Sequence, residues 1–191
     1  MRYVSRANRG MNFEELIKKA LQVYQIRGEA VVTKQHTKFL PLRDASGRVV
    51  SAKVDERATC DFMGRCGKIP VAFEAKSTMD NRILFSVVED HQKRFLDDFA
   101  KDGAGVCFVA VSFNNLQQFF TIPWAYWRAN MELCEAAGPR KNPQKALIDI
   151  DGKKAIWTTG TRGINADEIP PEWEIKTRAP YILPVLDILQ F

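Results

Sequence analysis

The run GVCFVAVSF, residues 105–113, restricts the fold more than any other stretch of the chain. Nine residues almost free of polar side chains lack the alternation of a strand that faces water on one side. They read as a central strand covered on both faces, which requires helices packed above and below a sheet. The flanking segments supply those layers. Over residues 12–27, Phe13, Leu16, Ile17, Ala20, Leu21 and Tyr24 recur at helical spacing, with Asn12 as cap and Gly28 closing the helix. AVVTKQ (30–35) is expected as a strand, and 39–54 as a hairpin turning at Asp44–Gly47. A short strand is expected at 58–62, a turn near 64–68 and a strand at 70–77. Ser86, with Glu89 three residues on, reads as a capping box opening a helix that Gly103 ends. After the central strand come a strand at QQFFTI and a helix that Pro123 opens. The prolines of NADEIPPEWEIKTRAP exclude a long regular element, and the final YILPVLDILQF is apolar enough to dock on the body. The expectation is one α/β domain spanning residues 1–191, a mixed central sheet flanked by helices.

Against this apolar frame, CDFMGRCGKIPVAFEAKST (60–78) places three charges on what read as two core strands. Side chains alternate faces along a strand, so Glu74 and Lys76 share a face with Ala72, while Phe73 and Ala75 take the other. Thr59 and Asp61 share a face of the preceding strand. Pairing the two strands brings Asp61 beside Glu74 with Lys76 one step along. Adjacent carboxylates repel unless one is neutralised or a cation sits between them, and a divalent ion with oxygen ligands resolves that conflict. The triplet alone is a weak signal, expected roughly once or twice in such a chain. Asp151-Gly152-Lys153 and Glu174-Ile175-Lys176 repeat it off any apolar strand. Gln92 adds a second clue. It lies within the stripe Val88, Gln92, Phe95, Phe99, where an amide needs a partner: a backbone group, or a metal and its water. Glu14 and Glu15 fit the dipole of an ordinary helix start.

Charge and length bound the function. Net charge is +5, which permits nucleic-acid binding without demanding it. Its distribution says more: Lys34, Lys38, Arg43, Arg48, Lys53 and Arg57 cluster in 34–57, GPRKNPQK forms a basic loop, and Arg2, Arg6 and Arg9 form a third group. No stretch approaches the roughly 18 to 20 apolar residues of a membrane span, and the N-terminus carries no apolar signal region. Four cysteines without a C-x-x-C pair read as reduced thiols of a cytoplasmic protein rather than a zinc site.

NRGMNFEEL, ATCDFMG, FEAK, the DHQ at 90–92 and GVCFVAVSF together resemble the RecU family of Holliday-junction resolvases, within the PD-(D/E)xK nuclease superfamily. The likeness covers roughly residues 7–128, with a weaker echo at RAPYILPVLDIL. It implies a restriction-endonuclease-like fold with a protruding hairpin stalk at 39–54, and a homodimeric endonuclease that cuts four-way DNA junctions during recombination and repair. The implied cofactor is Mg2+, with Mn2+ as substitute. By matching position, Thr59, Asp61, Glu74 and Gln92 would be metal-side residues. Lys76 would orient the attacking water and stabilise the transition state. Arg9, Lys38, Arg43, Arg48 and Lys53 would contact DNA, and a strand-exchange recombinase is a further implied partner. Two rival readings stay open here: another nuclease of the superfamily acting on duplex DNA, and a DNA-binding modulator of recombination with little cleavage.

Overall fold

The computed structural model describes residues 12–137, 145–150, 153–158, 162–180 and 183–189. Helix α1 (Phe13–Ile26) starts at Asn12, whose side chain accepts from the Glu14 amide, and turns its apolar face inward through Ile17, Ala20 and Tyr24. Strands β1 (Ala30–Lys34), β2 (Lys38–Arg43), β3 (Val49–Glu56), β4 (Phe62–Cys66), β5 (Ile69–Thr78) and β6 (Arg82–Leu84) follow. Then come α2 (Asp90–Ala100), β7 (Val106–Phe113), β8 (Gln118–Pro123) and α3 (Trp124–Ala137). The last strands are β9 (Lys145–Ile150), β10 (Lys153–Thr158) and β11 (Gly163–Asn165).

The body is a five-stranded sheet in the order β1-β4-β5-β7-β8, with β5 and β7 parallel and the other pairs antiparallel. The apolar run 105–113 becomes β7, the strand beside β5, buried from Cys107 to Phe113. The pleat divides the core in two. On one face Phe62, Phe73 and Phe108 stack with centroids 4.9 and 4.5 Å apart, under α1 and the buried Leu183, Val185 and Leu186. On the other, Ala72, Val109 and Val111 meet α2 and α3. No helix among the described residues is long and apolar enough to cross a membrane.

Three local expectations are corrected. Residues 57–61 form no strand: β4 begins at Phe62, and its hairpin to β5 turns at Gly67 and Lys68, with Gly67 at φ +55°. Ser86 lies in a short 3-10 turn (Phe85–Val87), and the cap of α2 is Glu89 paired with Gln92. The antiparallel pair β9–β10, for which no strands were expected, is added, while the proline-rich 165–180 holds no long regular element. The hairpin β2–β3 is a sheet of its own, and every β2 residue is exposed.

Candidate active site

The register of β4 on β5 builds the site. Phe62 pairs with Phe73, so the residue before β4, Asp61, stands opposite Glu74. Here β4 ends while β5 continues, and side chains take over the bonding. The Ala75 amide donates to Asp61 Oδ2 (3.0 Å), and the Asp61 amide donates to Glu74 Oε1 (3.2 Å). Each carboxylate is thus anchored by backbone next to the other. Lys76 Nζ completes the group, 3.3 Å from Asp61 Oδ2 and 2.7 Å from Glu74 Oε2.

Burial sets the electrostatics. Glu74 is fully buried, while Asp61 and Lys76 are partly open. Loss of water pushes the Glu74 carboxyl up to about 8, the adjacent Asp61 carboxyl adds to the rise, and Lys76 opposes it. Burial pulls the Lys76 ammonium down, but Glu74 and then Asp61 more than offset this, so its pKa lies above the ordinary value. Two carboxylates share one ammonium, and the deeper one takes the proton. Cys60, next to Asp61, is no nucleophile: burial and then the Glu74 charge push its thiol up to about 12.

A divalent ion fits these residues. Glu74 Oε2 is buried and meets the Lys76 ammonium at 2.7 Å, but it accepts no hydrogen bond of regular geometry. Two adjacent carboxylates, one of them fully buried, share a single ammonium, and a divalent cation between them would relieve their repulsion. No cluster of three or more His, Cys, Asp or Glu side chains suited to a metal occurs among the described residues. Two carboxylates are hard oxygen ligands of the kind that suit a hard divalent ion.

The other expected residues lie at varying distance from this group. Thr59 is exposed in the linker and lines a cleft of about 790 Å³ together with Arg57, His91 and Arg94. Gln92 is buried in the first turn of α2, on the Ala72 side of the sheet, and its Oε1 accepts from the Glu89 amide (3.0 Å). The buried amide therefore has a backbone partner, with a lone pair of that oxygen to spare. Lys38, Arg43, Arg48 and Lys53 all lie on the hairpin. Lys38 stands 3.4 Å from Asp55, Arg48 3.6 Å from Asp44, and Arg43 donates to the Gly47 carbonyl, so part of that positive charge is met locally. Arg9 lies outside the described residues.

Two features escaped the sequence reading. Lys34, counted as part of a basic cluster, is ion-paired with Glu14 across α1 and β1. Arg57 and His91 both meet Glu89, across 32 and two residues. Neither tie leaves a periodic signal, because each depends on how distant elements dock.

A sequence model of the family described as RecU, Recombination protein U, matches residues 8–190. A Holliday junction resolvase RecU of Streptococcus sanguinis (strain SK36) is 28% identical over 129 residues, 64% of this chain and 64% of the relative. One from Streptococcus gordonii is 30% identical over 127 residues, 63% and 62% of the two chains. One from Latilactobacillus sakei subsp. sakei is 32% identical over 151 residues, 75% of this chain and 70% of the relative. The chain spans a little under two thirds of the length of the streptococcal relatives it matches.

Proposed function

The chain belongs to the RecU family, and from that premise we propose that it is a divalent-metal-dependent endodeoxyribonuclease that resolves four-way DNA junctions. The observation that carries this reading is the fully buried Glu74 carboxylate, set beside Asp61 and sharing the single Lys76 ammonium with it where β4 gives out. Such an arrangement is costly to fold and is unexplained by packing.

Asp61 and Glu74 would hold the ion, with Thr59 and Gln92 contributing neutral oxygens directly or through water. A magnesium or manganese ion there would supply Lewis acidity and make a bound water acidic enough to attack a phosphodiester near neutral pH. Lys76 would orient that water and would keep a positive charge where the phosphoryl oxygens gain negative charge, in a setting with little water to screen it. The backbone bonds to both carboxylates hold the ligand positions before substrate arrives, so little rearrangement accompanies reaction. Two cuts on opposite strands of a junction follow if two copies act about a two-fold axis. Cations on the hairpin grip phosphates without reading bases, and the branch is read as shape.

The deciding experiment is nicking of a synthetic four-way junction with and without Mg2+. Paired, symmetric, metal-dependent nicks absent from Asp61→Asn are expected. Equal rates on linear duplex would move the assignment to a duplex nuclease, and binding without nicking to a recombination modulator.

A further inference from the structure

Glu74 lies on a strand bonded along both edges, whereas Asp61 and Thr59 lie in the linker 57–61, which has no regular structure of its own. Something must hold that linker against β5. The Asp61 carbonyl accepts from the Gln35 amide (2.8 Å) on one side. On the other, the first turn of α2 reaches across. His91 Nε2 lies 3.2 Å from the Ala58 carbonyl, and a carbonyl only accepts, so this nitrogen carries the hydrogen and donates. The opposite ring nitrogen, Nδ1, stands 3.4 Å from Glu89 Oε2, and that same oxygen takes the Arg57 guanidinium at 3.1 Å. The Nε2 bond orients the imidazole and ties it to the peptide immediately before Thr59. Gln92 is its neighbour in the chain.

Resting on the metal reading above, we infer that His91 is a positioning residue for the linker side of the metal site. Asp61 is bonded to β5 directly, so through Ala58 the imidazole acts on Thr59, setting where its hydroxyl stands relative to Asp61 and Glu74. One helical turn then serves both neutral-oxygen ligands, Gln92 directly and Thr59 through the His91 bond. Partners that orient metal ligands from behind typically change metal affinity by about 10- to 100-fold when removed.

The test compares the full chain with H91Q and H91N. A glutamine Nε2 can occupy nearly the place of the histidine Nε2 donor, whereas the asparagine amide stops short of it. Mn2+ affinity by calorimetry, amide exchange of residues 59–61 in metal-free protein, and the thermal midpoint are measured together. H91N is expected to bind Mn2+ at least about tenfold more weakly and to exchange those amides faster, with its midpoint nearly kept. H91Q should recover most of both properties. Unchanged Mn2+ affinity in a folded H91N overturns the inference alone. H91N and H91Q impaired equally, with midpoints falling in step, also overturns it, because a merely structural histidine gives that result. No Mn2+ binding by the unaltered chain overturns the metal reading and this inference with it.

Discussion

A carboxyl raised to about 8 makes Glu74 the residue whose protonation reports on the site. The folded state binds its proton more tightly than the unfolded chain does. The stability this contributes is present in full below the ordinary carboxyl pKa and is lost as pH rises through about 8. Metal-free protein should therefore lose thermal stability between about pH 5 and about pH 8, and Glu74→Gln should flatten that slope and raise the midpoint at its alkaline end. An ion must displace the proton, so the midpoint gained on adding Mg2+ should be larger near pH 8 than near pH 6, roughly in line with metal–proton linkage. An unchanged slope in Glu74→Gln would show that another group controls it. The same substitution, or Asp61→Asn, should abolish cleavage while junction binding survives, since the hairpin cations are untouched; gel shift and nicking assays separate the two. Strand alternation put Glu74 and Lys76 on one face, and the pairing of the two strands brought Asp61 beside them although Asp61 itself stands just before β4. Which carboxylate keeps the proton was not legible, since that depends on Glu74 being sealed beneath α2 while Asp61 stays open.

Helix α2 shows how an element boundary changes the meaning of a residue. Ser86 and Glu89 satisfy one capping-box pattern, and Glu89 and Gln92 lie at the same spacing three residues further on. The second is used, because Phe85 and Val88 enter the core and hold the backbone between them in a 3-10 turn. Gln92 is thus a cap as well as a candidate ligand, and substitution must separate the roles. Gln92→Leu removes the acceptor of the Glu89 amide and should cost about 1 kcal/mol of stability along with activity. Gln92→Glu retains a side chain suited to the box and should keep the midpoint, so any loss of Mg2+-dependent nicking in that variant belongs to the site. Full activity in Gln92→Leu with a reduced midpoint would make Gln92 a cap only. Gly64 gives a purely structural comparison: a Cβ there would lie 2.0 Å from the Val31 carbonyl oxygen. Gly64→Ala should cost about 2 kcal/mol or more as β1 is pushed from β4, read as a drop in the denaturant midpoint. Elements with long apolar periods, α1 and β7, were legible because burial imprints itself on composition. The pair β9–β10 was not, because two short strands forming a sheet apart from the main one leave little apolar pattern.

At the scale of the whole molecule, the hairpin β2–β3 is set apart from the five-stranded body. Six residues of β2 give it a length of about 20 Å. Phe39, Leu42, Val49, Val50 and Val54 are exposed, with Phe39 opposite Val54 and Arg43 opposite Val49. A hairpin tucked onto the body would bury one of its faces, and every residue of β2 is exposed. That is the form expected of an arm touching both a second copy and DNA. Its cations also differ in what they offer: Lys38 and Arg48 face aspartates of the arm itself, while Arg43 is bonded to the tip. On the proposed reading, charge alone would hold any duplex, and discrimination would come from the shape of the arm, which only an open junction centre would admit. Replacing residues 44–47 and shortening the arm to a Gly-containing turn, with Arg57 onward kept so that the ties of Arg57 and Ala58 to α2 survive, should leave the metal site assembled. Weak Mg2+-dependent nicking of linear DNA should persist while the preference for four-way junctions falls. The quantity to measure is the ratio of junction to duplex affinity at one ionic strength, because each phosphate contact makes absolute affinity fall steeply with salt and the ratio cancels most of that dependence. A fall of about tenfold or more, which is at least about 1.4 kcal/mol of discrimination, is the expected result. An unchanged ratio in a folded protein of unaltered oligomeric state would remove the arm from recognition and leave the body's own surface to read the branch.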